Sequence, residues 1–111
     1  MKIIIPSTGK SWEDKVDDRF GRARGFLLYD EDEDKLSWLS NEINMNVGHG
    51  AGIQAAQLVI NKGAEILITG EIGPKAREIL EKTKIKIYKS DNTSIKQAYN
   101  SFKQGLLKKV Q

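Results

Sequence analysis

Two short runs in this chain carry apolar side chains at successive positions: Ile3, Ile4 and Ile5 in KIIIP, and Ile66, Leu67 and Ile68 in EILITG. Neighbouring residues of a strand point to opposite faces, so a strand that is apolar on both faces must be covered on both. A sheet with helices packed on either side meets that demand.

The rest of the chain supplies those layers. The strand Lys2 to Pro6 is stopped by proline, and a long loop from Ser7 to about Arg24 follows, punctuated by Gly9, Gly21 and Gly25. FLLYD and KLSWLS read as two strands joined by the acidic turn EDED, an antiparallel hairpin with a solvated tip. From Gly50 the apolar period changes. Ala51, Ala55 and Leu58, with Ile53, Ala56 and Ile60, form adjoining stripes of a helix that buries a broad face and ends at Gly63. EILITG is the next strand, and GPKAREILEK starts a helix with Gly73 and Pro74 at favoured positions. IKIY is a further strand, after which DNTS offers N-cap candidates for a last helix lined by Ile95, Ala98, Tyr99 and Phe102 and closed by Gly105. The order is βββαβαβα: a single α/β domain over residues 1–105, with residues 106–111 as a frayed C-terminal tail.

Topology gathers the loops. If the first strand runs up, the hairpin returns the chain to run up again, and each later strand–helix–strand crossover is right-handed and ends where it began. Ser7–Arg24, Asn46–Gly52, Gly70–Gly73 and Ser90–Thr93 therefore share one edge, outside the carboxyl ends of the strands, where open α/β sheets bind ligands.

Composition removes several classes of function. At 111 residues and 39% apolar content the chain can bury one core, not two. It has no cysteine, which excludes a disulfide scaffold, a thiolate zinc site and a thiolate-held iron–sulfur cluster built from this chain alone. The opening MKIIIPS is too short an apolar run for a signal-peptide core, and no segment has the length of a membrane helix, so a cytoplasmic address and no membrane partner are expected. Residues 1–42 carry seven Lys/Arg against ten Asp/Glu, and residues 43–111 carry eleven against five. The lysines are scattered rather than gathered with aromatics on one strip, so nucleic acid is not an expected partner.

The arginines are not scattered: Arg19, Arg22 and Arg24 fall within DDRFGRARG. The planar guanidinium suits oxyanions, so three in a glycine-bearing loop form a candidate anion site, and pairing with Asp17 and Asp18 is the equal alternative. GHGAG and GEIGP each lead into a helix, whose first N–H groups are unpaired and carry partial positive charge. Neither is a phosphate loop or a dinucleotide fingerprint. His49, the one histidine, sits between glycines at such a helix start. It is a metal-ligand candidate, because imidazole nitrogen binds iron and other transition metals, and the alternative is a polar residue that caps the helix or is merely exposed.

DDRFGRARGFLLYD, GHGAGIQAAQLVINKGAEILITGEIGPKAREILEK and IKIYKSDNTSIKQAYNSFKQGLLKK, after the opening MKIIIPS, resemble the dinitrogenase iron-molybdenum cofactor biosynthesis family over essentially the whole chain. The distinctive combination is Phe-Gly-Arg-Ala (Phe20 to Ala23), His-Gly-x-Gly-Ile-Gln-Ala-Ala (His49 to Ala56) and Gly-x-Ile-Gly-Pro (Gly70 to Pro74), in that order. The resemblance implies a ribonuclease H-like fold, with a five-stranded mixed sheet in order 3-2-1-4-5 and helices on both faces. It also implies a carrier of an iron–sulfur or iron–molybdenum-type cluster or its precursor; cluster donor and acceptor proteins are the expected partners, and a monomer or weak homodimer the expected state. The candidate binding set is Arg19, Phe20, Gly21, Arg22, Arg24, His49, Gly50, Gly52, Gly70, Ile72 and Gly73, with His49 as the metal contact. Enzymatic activity is not expected. A nuclease of this fold needs converging carboxylates, usually with one on the first strand, and KIIIP has none. A regulatory module that binds a nucleotide or other small anion without metal is the alternative.

Overall fold

The structure, a computed structural model, describes residues 1–111. The element order is β1 (Lys2–Ser7), a 3-10 turn (Phe20–Arg22), β2 (Gly25–Asp30), β3 (Lys35–Ser40), α1 (Glu42–Met45), α2 (Ala51–Asn61), β4 (Ile66–Thr69), α3 (Pro74–Glu81), β5 (Lys86–Lys89), α4 (Ile95–Lys103) and β6 (Lys108–Lys109). The strands form one mixed sheet in order β3-β2-β1-β4-β5-β6, with β1, β4 and β5 parallel and the pairs β1–β2, β2–β3 and β5–β6 antiparallel.

The apolar runs are divided between two faces as their alternation requires. Ile4 and Leu67 pack with Ala55, Val59, Ala76 and Leu80 of α2 and α3, whereas Ile3, Ile5, Ile66 and Ile68 pack with Ile95 and Ala98 of α4. All four isoleucines on the α4 side of β1 and β4 are at most 4% exposed, so each contributes about 1.5–3 kcal/mol of burial free energy to holding the three layers together. On α2 the deepest stripe is Ala51, Ala55, Ala56 and Val59, while Leu58 and Ile60 pack half-buried at its margin. The helix starts and stops follow the local chemistry. Pro74 occupies the first turn of α3 after extended Gly73, Ser94 caps α4 by accepting the Gln97 N–H at 3.0 Å, and Gly63 and Gly105 take positive φ after α2 and α4.

Two features depart from the sequence expectation. A one-turn helix, α1, follows β3, because Asn41 accepts the Asn44 and Met45 N–H groups at its main-chain oxygen. The sheet has six strands, not five, and residues 106–111 are not frayed. Leu107 packs against the α4-side core, Lys108 and Lys109 pair with β5, and the Gln111 amide donates to the Leu80 and Ile85 carbonyls at 2.6 and 2.9 Å. Two lysines in a row show no period that marks a strand; the open edge of β5 recruits them, and their charge blunts the new edge. No helix is long and apolar enough to cross a membrane.

Trp12 folds the long loop back over the α4 face, its ring 4.9 Å from Tyr29 and 5.6 Å from Tyr99. Nearby, Glu31 of the acidic hairpin accepts from the Tyr99 hydroxyl at 2.5 Å and from Lys103 at 2.9 Å, tying the hairpin to α4. The Tyr99 hydrogen bond first, and then Lys103, hold the Glu31 carboxyl below its ordinary 4.5, while burial opposes them. A depressed carboxyl stabilises the fold above its unfolded value and stops doing so as the pH falls through the folded one. Thermal unfolding is therefore expected to lose stability through the acid carboxylate range, and Glu31→Gln to be less stable than the parent at neutral pH with a shallower acid limb. Parallel melting curves for the two proteins across that range would contradict this.

Candidate functional site

The carboxyl ends of β1, β3, β4 and β5 lie along one edge, and the long loop is stitched to it by main-chain contacts. Glu71 N–H donates to the Asp18 carbonyl at 3.1 Å, and Phe20 N–H donates to the Glu71 carbonyl at 3.3 Å. Two glycines make the approach close. A Cβ on Gly70 would lie 2.7 Å from the Asp18 Cα, and one on Gly21 would lie 2.7 Å from the Gly52 nitrogen, so neither position has room for a side chain. Phe20, 2% exposed, anchors the turn in the core with its ring 5.6 Å from that of Phe26.

The result is an open depression of about 420 Å³ lined by Asp18, Arg19, Phe20, Gly21, Arg22, Gly50, Ala51, Gly52, Glu71, Ile72 and Gly73. It thus brings together Arg19, Phe20, Gly21, Arg22, Gly50, Gly52, Ile72 and Gly73 of the candidate set. The starts of α2 and α3 border it through Gly50–Gly52 and Gly73, while Ile53, Pro74, Lys75 and Ala76 line an adjoining recess. The first intrahelical bonds are Gln54 N–H to Gly50 O in α2 and Arg77 N–H to Gly73 O in α3, leaving the N–H groups of Ala51, Gly52 and Ile53, and of Lys75 and Ala76, without intrahelical partners.

The remaining candidates sit elsewhere. Gly70 is buried beneath Asp18 and does not line the depression. Arg24 is exposed beside Thr8, Lys10, Trp38 and Glu42 in a different recess. His49 is exposed on the rim, one residue ahead of the lining Gly50, and no side chain caps α2. It shares an edge with Arg22, whose Nη2 donates to the Gly48 carbonyl at 3.4 Å. No three His, Asp or Glu side chains group as a metal-binding cluster.

The charges are balanced in a way that spacing did not reveal. Arg19 both lines the depression and pairs with Asp17, with Nε to Oδ1 at 3.3 Å. Arg22 commits its guanidinium to main-chain carbonyls, donating to Met45 at 3.1 Å and Val47 at 2.7 Å besides Gly48. Asp18 and Glu71 contribute two carboxylates, so the lining has as many carboxylates as arginines. Lys89, at the end of β5, reaches Glu71 with Nζ 2.7 Å from Oε1, and this contact raises the Lys89 ammonium and lowers the Glu71 carboxyl from their ordinary values. The pull on an anion therefore comes from the two helix starts more than from net side-chain charge.

Asn41, unmarked in the sequence, is the hub of the rim. It is 2% exposed, its amide donates to the Gly21 and Ala23 carbonyls at 3.1 and 2.9 Å, and its Oδ1 accepts from Asn44 at 3.0 Å. Together with Arg22 it holds residues 41–48 against the Phe20–Ala23 turn. Arg22→Gln is expected to cost about 1–3 kcal/mol, because three carbonyls lose charged donors, and to speed amide hydrogen exchange over residues 45–50. Unchanged exchange there would show that the loop does not depend on Arg22.

An α/β sheet whose strand ends carry a backbone-lined depression defines an open-sheet α/β protein with a candidate ligand site at the carboxyl edge. The chain belongs to the dinitrogenase iron-molybdenum cofactor family, whose model matches residues 1–105. It is similar to the orange protein of Desulfovibrio gigas, solved in its apo form, with 34% identity, a TM-score of 0.92, and coverage of 98% of this chain and 92% of that one. A Thermotoga protein of the DUF35 family is 31% identical with a TM-score of 0.85, again over 98% of this chain and 92% of its own. An uncharacterized protein of Methanocaldococcus jannaschii is 30% identical over all of this chain and 92% of its own length.

Proposed function

We propose that this protein is a cytoplasmic carrier for an anionic iron–sulfur or iron–molybdenum-type cluster, or its precursor, passed between donor and acceptor proteins in metallocluster assembly. The observation that carries the reading is the convergence of the α2 and α3 starts with the Phe20–Arg22 turn on one open depression, in a member of a family named for the nitrogenase cofactor. A bulky anion is held there by main-chain N–H groups and helix-end charge, with Arg19 at the wall. With no thiolate in the chain, His49 on the rim offers an imidazole for a direct metal bond. Such a grip is reversible, as transfer requires. The role proposed for this site is binding and release of the cluster, not its chemical conversion.

Anaerobic incubation with an iron–sulfur donor is expected to give the protein visible absorption that survives desalting, with His49→Ala retaining less colour. The balanced side chains and free helix ends would equally admit a phosphate-like anion, so the same experiment includes a nucleotide. A protein that stays colourless while the nucleotide raises its melting temperature is a small-anion module, not a cluster carrier.

A further inference from the structure

The cations around the depression differ in how freely they can move. Arg19 has a 64% exposed side chain but a buried partner: Asp17 is 6% exposed, so withdrawing the guanidinium would leave that carboxylate with the Arg19 main-chain N–H at 2.9 Å and little water, a cost that opposes the movement. Arg22 is locked, since moving it would release the carbonyls of Met45, Val47 and Gly48. Lys89 is different. Its side chain is 48% exposed and its partner Glu71 is 77% exposed, so water can solvate the carboxylate when the ammonium leaves. The stem is rooted on β5 between Thr69 of β4 and Lys108 of β6, which fixes its base while leaving the flexible head free. Like charge on Lys108, directly across the strand pair, disfavours a swing towards the β6 edge.

We propose that Lys89 is the exchangeable cation of this site: an anion entering the depression draws the ammonium off Glu71, and Glu71 competes with that anion for it. This deepens the carrier reading and rests on it for the identity of the guest. The exchange supplies a grip that strengthens on loading and a built-in competitor that favours release. Lys89 does not itself line the depression, but Glu71 does and holds Nζ at 2.7 Å, which places the ammonium one side chain away from it.

The test titrates the parent, Glu71→Gln, Lys89→Met, Lys89→Arg and the double variant Glu71→Gln/Lys89→Met with two probes. One is a water-soluble, thiolate-ligated four-iron four-sulfur anion followed by visible absorption; the other is molybdate followed by calorimetry. Glu71→Gln is expected to tighten binding about fivefold and Lys89→Met to weaken it about fivefold, the scale of one exposed ion pair. Lys89→Arg should stay near the parent. Because Glu71 acts through the lysine, its substitution in the Lys89→Met background should gain less than about twofold. A full gain there would mean that Glu71 repels the guest by its own charge, and an unaltered Lys89→Met would remove the lysine from the site; either overturns the exchange. Cluster uptake by the parent with indifferent variants leaves the carrier reading standing and the exchange refuted. Molybdate binding with no cluster uptake refutes the carrier reading, and the molybdate series still decides the exchange. A parent that binds neither probe refutes both.

Discussion

Phe20→Ala is expected to lower the unfolding free energy by roughly 3–5 kcal/mol, the cost of emptying a well-packed aromatic site. For a domain of this size that corresponds to a fall in melting temperature of roughly 12 °C or more. The ring is 2% exposed and packs with Phe26 on the α2–α3 side of the sheet, while its main chain forms the wall of the depression and donates to Glu71. One residue therefore couples core packing to site geometry, and the variant should lose probe affinity even where it is still folded. A melting temperature within about 3 °C of the parent would show that the cavity collapses cheaply and that the turn is held by its hydrogen bonds alone.

Gly21→Val is expected to abolish binding and to destabilise by about 1–3 kcal/mol, because the new side chain overpacks a main-chain contact. Its Cβ alone would sit 2.7 Å from the Gly52 nitrogen and 2.8 Å from the Gly52 Cα, and neither is the end of a movable side chain. The turn must then lift off the start of α2, opening the depression at its narrowest join. Gly73→Ala is the control for stability alone: it meets nothing within 4 Å and its backbone is extended at φ −72°, so the variant should melt with the parent. Retained binding in Gly21→Val, or an equal loss of stability in Gly73→Ala, would disprove the contact argument.

These two glycines also show how far the site was legible in the sequence. Both stand in glycine-bearing connections, one in the long loop and one at a helix start, and nothing in GRARG or GEIGP says that one is pressed against another main chain while the other faces open space. The arginines teach the same lesson. Their clustering pointed to the rim and left anion binding and pairing with aspartate equally open; Arg19 lines the depression and pairs with Asp17, Arg22 clamps a loop more than twenty residues away, and Arg24 faces a separate recess. Asn41 gave no signal, since an asparagine after a strand is ordinary until its amide is seen bridging two carbonyls of a distant turn.

What the sequence determined by itself was the layering and the edge. Uninterrupted apolar triplets demand cover on both faces, helical stripes supply it, and the near-universal hand of the crossovers places the glycine, arginine and histidine segments at the carboxyl ends of the strands. The tertiary structure alone decided which charged groups are free, which glycines are in contact, and that Lys108 and Lys109 extend the sheet. The physical reason is range. Periodicity is set by neighbours a few residues apart, whereas ion pairs such as Glu71 with Lys89, and an edge that recruits a strand, depend on where distant loops come to rest.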